Sequence, residues 1–213
     1  MKRILKSPPN FAFKLLNATH QATVSTRRVR QLAKHFADVI PPRKRVLDIG
    51  TGNGRLARRI LDLRPDLTIQ GIDVRSNIDA EIPVTEYDGI TIPFEGDSWD
   101  ICMASDVLHH CDDPMAMLRE MNRVAIDAIV IKDHFADTRF DYTLLCAMDW
   151  AGNFGYGTQV PFNFLSSREW LESFSTIGLT PVEVRKSLQL YPIPFTWLLD
   201  RNLHFVALLS VRM

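Results

Sequence analysis

The sequence predicts an α/β fold in which a mostly parallel sheet is doubly wound, with helices on both of its faces. Short apolar segments of strand length alternate with segments whose apolar residues recur at helical spacing along most of the chain. In addition, the apolar residues 46–49 run into the alternate glycines Gly50, Gly52 and Gly54, and then into the helical segment 55–63. Glycines this close together are expected where the chain turns sharply or a ligand approaches, and the following helix directs free N–H groups at the turn.

Composition and charge exclude several classes of protein. The 213 residues are 46% hydrophobic and 23% charged, which is typical of one globular domain. Lys and Arg balance Asp and Glu at 25 each, so no global positive field favours nucleic acid. The 3 cysteines form no CxxC pair, which indicates reduced thiols, and no apolar run reaches the roughly 18 residues of a membrane span. We therefore expect a cytoplasmic protein with no nucleic-acid partner and no integral membrane segment, and the oligomeric state stays open.

The individual elements follow from apolar periodicity and from turn and cap residues. A helix over residues 26–40 begins at a Ser25 or Thr26 cap and is stopped by two prolines, and Asp113 with Pro114 begins another. One or two short helices are predicted over residues 11–24, whereas residues 135–164 show no sustained period and are interpreted as a lid or substrate wall. Further helices are predicted at residues 55–63 and 166–177, and strands at residues 46–49, 68–72, 84–87, 99–104, 128–132, 180–188 and 204–211.

Two kinds of nucleotide-like ligand compete for the glycine turn. A dinucleotide fingerprint requires a small residue where this chain has Arg55, which disfavours a nicotinamide oxidoreductase, and no GKS or GKT follows to make a P-loop. Asp48 lies within the strand, two residues before Gly50, and Asp73 ends the next strand about 20 residues beyond the turn, where a carboxylate meets ribose hydroxyls. The spacing therefore favours a single nucleoside with a charged amino-acid tail.

Residues 46–54, Asp73, Asp88–Gly89, residues 105–110 and Asp112–Pro114 together resemble the class I S-adenosylmethionine-dependent methyltransferases, in the small-molecule, ubiquinone-methyltransferase-like branch. The resemblance covers about residues 25–134 and implies a Rossmann-like, seven-stranded sheet with S-adenosylmethionine as cofactor. It divides a single domain, residues 1–213, into a helical N-terminal cap (1–42), a cofactor-binding core (43–134), and a substrate wall with the final strands (135–213). One departure is that residues 74–83 leave little room for the helix that usually separates the second and third strands.

The resemblance also implies roles for individual cofactor-binding residues. The turn backbone would hold the methionine part, Asp73 the ribose hydroxyls and Asp88 the adenine amino group, while Arg28 or Arg27 would pair with the cofactor carboxylate. The alternative for both aspartates is a turn or cap carboxylate, and for the arginines a solvated helix face. The complete predicted set is Arg28, Asp48, Gly50, Thr51, Gly52, Gly54, Asp73, Val74, Asp88, Gly89, Ala104 and Ser105.

Two histidines are candidates for a catalytic base. His110 and His134 lie where predicted strands meet the presumed site, and imidazole titrates near neutral pH, although local packing explains each equally well. Asp133 is a candidate to orient His134, but adjacent strand residues point to opposite faces, so their pairing requires a bend. Residues 109–113 invite a metal interpretation, yet consecutive residues rarely converge on one ion, and we predict no metal site.

The last third of the chain is predicted to provide the substrate cavity. Aromatic residues are frequent between residues 135 and 164, and they form either a lid that completes the core or an apolar cavity. The candidate substrate-binding residues are Tyr142, Asp149, Trp150 and Asn153. We expect methyl transfer to an oxygen or carbon of a small apolar or aromatic metabolite. The alternatives are a non-catalytic S-adenosylmethionine-binding protein and an enzyme that uses the cofactor for other chemistry.

Overall fold

The computed structural model describes residues 26–75, 78–153, 161–193 and 196–211, with the backbone alone for residues 151–153. Helix α1 covers residues 26–39. The other helices are α2 (Arg55–Leu63), α3 (Pro114–Val124), α4 (Arg139–Asn153), α5 (Ser167–Ile177) and α6 (Thr196–Leu199). The strands are β1 (Arg45–Ile49), β2 (Thr68–Asp73), β3 (Val84–Glu86), β4 (Trp99–Ser105), β5 (Ala125–His134), β6 (Thr180–Lys186) and β7 (His204–Ser210). Each predicted strand is confirmed, and the short helices predicted at residues 11–24 lie outside the described residues.

The strands form one seven-stranded sheet in the order β3-β2-β1-β4-β5-β7-β6. Strands β1 to β5 pair in parallel, and β7 lies antiparallel between β5 and β6. The chain builds outward from β1 to β3 and then returns to add β4 on the other side of β1, so the strand order reverses between β1 and β4. Open sheets of this kind bind ligands at the carboxyl ends of the strands at such a reversal. The predicted Rossmann-like, doubly wound sheet is confirmed.

Helices cover both faces of the sheet. On one face Phe36 of α1 and Ile60 of α2 pack against the strands, and on the other Met121 of α3 and Trp170 of α5 do so. Ile101–Ala104 in the centre of β4 are buried, as expected for a strand between two helical layers. The sheet is therefore rigidly supported beneath the strand ends that carry the polar residues.

Local sequence signals account for the ends of the helices. The Asp113 carboxylate accepts hydrogen bonds from the amides of Met115 and Ala116, both at 2.9 Å, at the start of α3. Ser166 and Glu169 form a capping box at the start of α5, and Gly178 ends that helix with a φ of 82°. These caps confirm the predicted start of α3 and both predicted ends of α5.

No helix is predicted within residues 135–164, but α4 occupies Arg139–Asn153. The Asp141 carboxylate accepts hydrogen bonds from the amide and the hydroxyl of Thr138, at 3.1 and 2.6 Å, and so caps the helix. Among the described side chains of α4 only Asp141 and Leu145 are fully buried. The helix therefore has no continuous apolar stripe, which is the signal that periodicity detects.

Between β2 and β3 the described residues form only turns and bends, as the short spacing predicts. β3 is an edge strand of three residues that pairs with the end of β2. None of the helices in the described part of the chain has the length and apolar character needed to cross a membrane.

Candidate active site

The glycine turn joins β1 to α2 at the reversal of strand order. Gly50, Gly52 and Gly54 all have positive φ, at 66°, 60° and 71°. A Cβ on Gly50 would lie 2.6 Å from Cγ2 of Val107, and one on Gly54 would lie 2.7 Å from Cγ1 of Ile82. A Cβ on Gly52, by contrast, would meet no described atom within 4 Å. Gly50 and Gly54 are therefore required by protein packing, whereas Gly52 faces space that a ligand can occupy.

Asp48 and Thr51 support the turn from inside the sheet. Oγ1 of Thr51 donates to Oδ2 of Asp48 at 2.6 Å. Asp48 is buried, and this burial raises the pKa of its carboxyl to about 7, although the bond from Thr51 opposes the shift. The predicted binding residue Asp48 thus lies beneath the turn and acts on it through Thr51.

Asp73, at the end of β2, holds the turn from the neighbouring strand. Its Oδ2 accepts a hydrogen bond from the amide of Gly52 at 2.8 Å, and its Oδ1 accepts one from the amide of Arg75 at 3.1 Å. The adjacent Val74 is 53% exposed although it is apolar. The structure thus brings the predicted carboxylate to the glycine turn with an apolar surface beside it.

Asp88 and Gly89 lie next to this surface. Oδ1 of Asp88 accepts hydrogen bonds from the amides of Ile90 and Thr91, at 2.8 and 2.7 Å, so this oxygen closes its own turn. A Cβ on Gly89 would lie 2.8 Å from Cγ1 of Val74, so the glycine permits the two segments to meet. Ile90, which follows Gly89, is 71% exposed although it is apolar, as is Val74. Sequence reasoning missed Ile90, whose only signal was its place after Asp88–Gly89.

Ala104 and Ser105 end β4 beside the turn, and Asp106 follows them with a φ of 59°. Nη2 of Arg28, in α1, donates to Oδ2 of Asp106 at 2.6 Å. Burial alone would raise the pKa of the Asp106 carboxyl, but the charges of Arg28 and Lys132 hold it well below its usual range. The predicted Arg28 thus reaches the site, and its partner in this structure is a carboxylate of the chain itself.

Lys132, in β5, is fully buried, and its ammonium group has three acceptors. Nζ bonds to Oδ1 of Asp106, and it lies 3.4 Å from Nε2 of His134 and 3.3 Å from Nδ1 of His204. Burial lowers the pKa of Lys132 to about 8, although the charge of Asp106 opposes the shift. Burial, and then the charge of Lys132, lower the pKa of His134 to about 3, so His134 is neutral.

The hydrogen bonds around this lysine fix the tautomers of both histidines. Nε2 of His204 lies 3.0 Å from the carbonyl oxygen of Leu199, which only accepts, so the lone pair of His204 is on Nδ1. Nδ1 of His134 lies 3.2 Å from Oδ1 of Asp133, so the lone pair of His134 is on Nε2. Both lone pairs therefore face the ammonium group of Lys132.

Asp133 connects His134 to His109, which lies in a short 3-10 turn, Leu108–His110, after β4. Nδ1 of His109 is 2.8 Å from Oδ1 of Asp133, and that oxygen also accepts from the amide of His134 at 2.9 Å. Burial lowers the pKa of His109, but Asp133 outweighs it and the net shift is upward. Asp133 and His134 pair although they are adjacent, because the pairing occurs at the carboxyl end of β5, where the Asp133 side chain folds back on the following amide.

His110 is the second histidine of this turn, and it faces α4. Its Nε2 lies 3.6 Å from Oδ1 of Asp149, and the two side chains are 24% and 12% exposed. Burial, and then the charge of His109, lower the pKa of His110. The structure thus brings together two residues that were predicted separately, one as a base and one as a substrate contact.

The other predicted substrate residues lie on the same helix. The hydroxyl of Tyr142 lies 3.3 Å from the carbonyl oxygen of Phe162, and Trp150 is 58% exposed. Phe164 stacks on His109 with ring centroids 4.9 Å apart. The side chain of Asn153 lies outside the described residues. An aromatic group thus adjoins the histidines.

Sequence reasoning missed Asp106, Lys132 and His204 as members of the site. Asp106 and Lys132 carried a weak signal, because Asp106 directly follows a buried strand and Lys132 follows the apolar run 128–131 within another. His204 opens the final apolar strand. Their convergence depends on β7 pairing with β5, since His134 and His204 are opposite each other in that ladder.

Comparisons with known proteins identify the class. The family described as "Methyltransferase domain" matches residues 19–184, so the chain belongs to it. The fold resembles that of a chain from the complex between the Haloferax volcanii Trm112 methyltransferase activator and a methyltransferase, at 17% identity, covering 97% of this chain and 100% of that one, with a TM-score of 0.64. An S-adenosylmethionine-dependent methyltransferase from Aquifex aeolicus is 16% identical, with 92% of this chain and 98% of that one covered and a TM-score of 0.61. The [4+2]-cyclase SpnF is 15% identical, with 86% of this chain and 81% of that one covered and a TM-score of 0.63. No curated protein sequence matches the chain.

The chain is therefore an S-adenosylmethionine-dependent methyltransferase of class I, and the residues present fit that cofactor. A Cβ on Gly52 would meet no described atom within 4 Å, the Asp73 carboxylate bonds to the Gly52 amide, and the adjacent Val74 is exposed, so a carboxylate and an apolar side chain adjoin open space as a nucleoside site requires. When bound, the cofactor supplies an activated methyl group on a sulfonium ion.

Proposed function

We propose that the chain transfers the methyl group to an oxygen or carbon atom of a small apolar or aromatic metabolite. The observation that carries this proposal is the aromatic group beside the histidines. Phe164 stacks on His109, and the ring of Tyr142 lies 6.2 Å from that of Phe164 in an edge-to-face arrangement. Apolar walls with few polar groups are typical of sites for small aromatic ligands.

The proposed substrate site adjoins the proposed cofactor site through the segment after β4. Val107 packs on Gly50 of the cofactor turn, and His110 lies three residues further along. A molecule held by α4 and the 3-10 turn is thus close to the ends of β1 and β4. We propose that Tyr142, Asp149, Trp150 and Asn153 contact it, and that Gly50–Gly54, Asp73, Val74, Asp88, Gly89, Ala104, Ser105 and Arg28 bind the cofactor.

A hydroxyl or acidic carbon must lose a proton when it is methylated. We propose that His110, oriented by Asp149, assists this loss, because it is partly exposed and faces the presumed substrate. His134 is less suited to that step, since its one lone pair faces Lys132. We propose instead that His134 positions Lys132 and Asp133.

One alternative to methyl transfer is supported by a specific observation. The fold similarity to the [4+2]-cyclase SpnF, at 15% identity, indicates that this fold also occurs in a protein whose printed activity is not methyl transfer. The alternative is that the chain uses its cofactor for chemistry other than methyl transfer. Transfer of isotope from methyl-labelled cofactor into a product would dismiss this alternative.

The test of the proposed function is an isotope-transfer assay with methyl-labelled S-adenosylmethionine and a panel of phenols, aromatic hydroxy acids and aliphatic alcohols. We expect label in ethers or C-methylated products of the aromatic acceptors. His110→Asn should lower the rate by roughly 10²–10⁴-fold, the range for loss of acid–base assistance, whereas His35→Asn should leave it unchanged. Label in the aliphatic acceptors alone would contradict the proposed substrate class.

A further inference from the structure

A second chemical possibility arises where α4 meets the 3-10 turn. One potential ligand atom from each of His109, His110 and Asp149 lies within 4.8 Å of the other two. The sequence argued against a metal because consecutive residues rarely converge on one ion. The structure places a third potential metal-binding residue, Asp149, beside these two histidines, although it lies on a helix some 40 residues further along the chain.

His109 is already prepared as a ligand. Its Nδ1 is 2.8 Å from Oδ1 of Asp133, and because a carboxylate only accepts, that nitrogen carries a proton, which leaves Nε2 as the atom with the lone pair in the neutral ring. Histidines that bind metals usually donate their other ring N–H to a carboxylate, which fixes the tautomer and ring orientation. Asp133 is 1% exposed and is itself held by the amide of His134. The supporting shell of a metal ligand is therefore in place around His109.

His110 provides an independent observation. Its Nδ1 is buried and makes no hydrogen bond with any residue that the structure describes. A buried ring nitrogen without a partner costs free energy unless water or an ion meets it. Its Nε2 faces the Asp149 carboxylate, whereas its Nδ1 lacks a hydrogen-bond partner among the described residues.

We propose that His109, His110 and Asp149 bind one divalent first-row transition-metal cation, with Asp133 orienting His109. Two imidazoles and one carboxylate suit cations such as Zn²⁺, and three protein ligands leave a position for a further oxygen. Ligand atoms about 2.1 Å from a cation are roughly 3.0–3.4 Å apart. The present ligand atoms lie within 4.8 Å of one another, so no distance in the set must shorten by more than about 1.8 Å. His110 and Asp149 are the partly exposed members, and their side chains supply that movement.

Cation binding does not depend on the proposed function, whereas its use in methyl transfer rests on it. A hydroxyl oxygen bound to the cation has a lowered pKa, so its O–H bond breaks with the proton passing to water and the electron pair remaining on oxygen. His110 would then assist proton loss as a ligand of the cation. Substrates with two neighbouring oxygens, such as vicinal phenols or aromatic hydroxy acids, would chelate it.

The experiment titrates the chelator-treated full chain with ZnCl₂ by calorimetry, and with CoCl₂ by visible absorption. We expect one equivalent to bind in the micromolar range or tighter, with Co²⁺ bands of a low-coordinate site. His110→Ala and Asp149→Asn should each weaken binding at least tenfold, and these partly exposed positions allow the variants to fold. The matched controls are His35→Ala, which removes a histidine elsewhere in the chain, and Asp112→Asn, two residues after His110. Both variants should bind the cation like the parent protein.

Binding weaker than millimolar, or binding that neither His110→Ala nor Asp149→Asn reduces, would overturn the proposal. Gly52→Ala, which places a methyl group in the presumed cofactor space, should retain zinc binding. Failure of the cation site and failure of the cofactor site are thereby distinguished.

Discussion

Nζ of Lys132, in β5, lies 3.3 Å from Nδ1 of His204, in the antiparallel strand β7. This contact joins the parallel part of the sheet to its antiparallel part and completes a set of three acceptors around a buried ammonium group. A buried charge is stable only when all of its partners are present, and removing one member of a buried pair exposes the others to an uncompensated desolvation cost.

Lys132→Met should therefore destabilise the protein by about 3–5 kcal/mol in urea unfolding at neutral pH, since the substitution removes the ammonium group that faces Oδ1 of Asp106, Nε2 of His134 and Nδ1 of His204, and leaves Asp106 with Arg28 as its charged partner. The matched control is Lys44→Met, which removes a lysine paired with Asp127 at 2.8 Å on the surface. That loss should be at most about 1 kcal/mol. Equal effects of the two substitutions would show that the buried set contributes nothing beyond an ordinary surface pair.

Asp48 should make stability depend on pH. Burial raises the pKa of its carboxyl from 3.8 to about 7 in the folded state, so between these values the folded protein binds more protons than the unfolded chain. The contribution of Asp48 to stability is therefore present below about pH 4 and is lost as the pH rises towards 7, by at most about 4 kcal/mol.

The measurement compares the free energies of unfolding of the parent protein and Asp48→Asn from pH 5 to pH 8. The neutral amide occupies the same volume, so the variant should gain stability relative to the parent protein as the pH rises. A difference that stays constant over this range would contradict a raised pKa for Asp48.

Gly52 and Gly178 make a matched pair of substitutions. Both have positive φ, and a Cβ on either would meet no described atom within 4 Å. Gly52→Ala and Gly178→Ala should each cost about 1–2 kcal/mol through backbone strain, which calorimetry detects as a lower melting temperature. Only Gly52→Ala should also weaken binding of S-adenosylmethionine, because its methyl group enters the presumed cofactor space. Equal cofactor affinities in the two variants would place the cofactor elsewhere.

Much of the fold could be predicted because its signals are local. The strand before Gly50, the cap at Asp113 and the box formed by Ser166 and Glu169 each depend on residues within a few positions of one another. The helix α4 was missed because it buries little apolar surface and has a polar cap, Asp141, in place of an apolar stripe. Apolar periodicity reveals a helix by the stripe of apolar residues that it buries. It therefore does not reveal a helix that covers a site and buries few apolar residues.

The cofactor side of the site was more predictable than the substrate side for the same reason. Gly52 and Asp73 follow successive strands, and parallel pairing alone brings their ends together. Lys132 and His204 meet only because β7 enters the sheet beside β5 in one particular register. Nothing local to either residue encodes that register, which follows from the packing of the whole sheet.

The most direct test of the central claim is calorimetric titration of the full chain with S-adenosylmethionine and with its demethylated product. We predict binding of both in the micromolar range. Asp73→Ala should weaken binding by roughly 1–3 kcal/mol, or about 5–150-fold, because the ribose loses a charged partner and Gly52 loses its acceptor. Asp127→Ala, near the opposite end of β5, should leave the affinity unchanged. The absence of micromolar binding for either compound, or an unchanged affinity in Asp73→Ala, would contradict the assignment of this turn as the cofactor site.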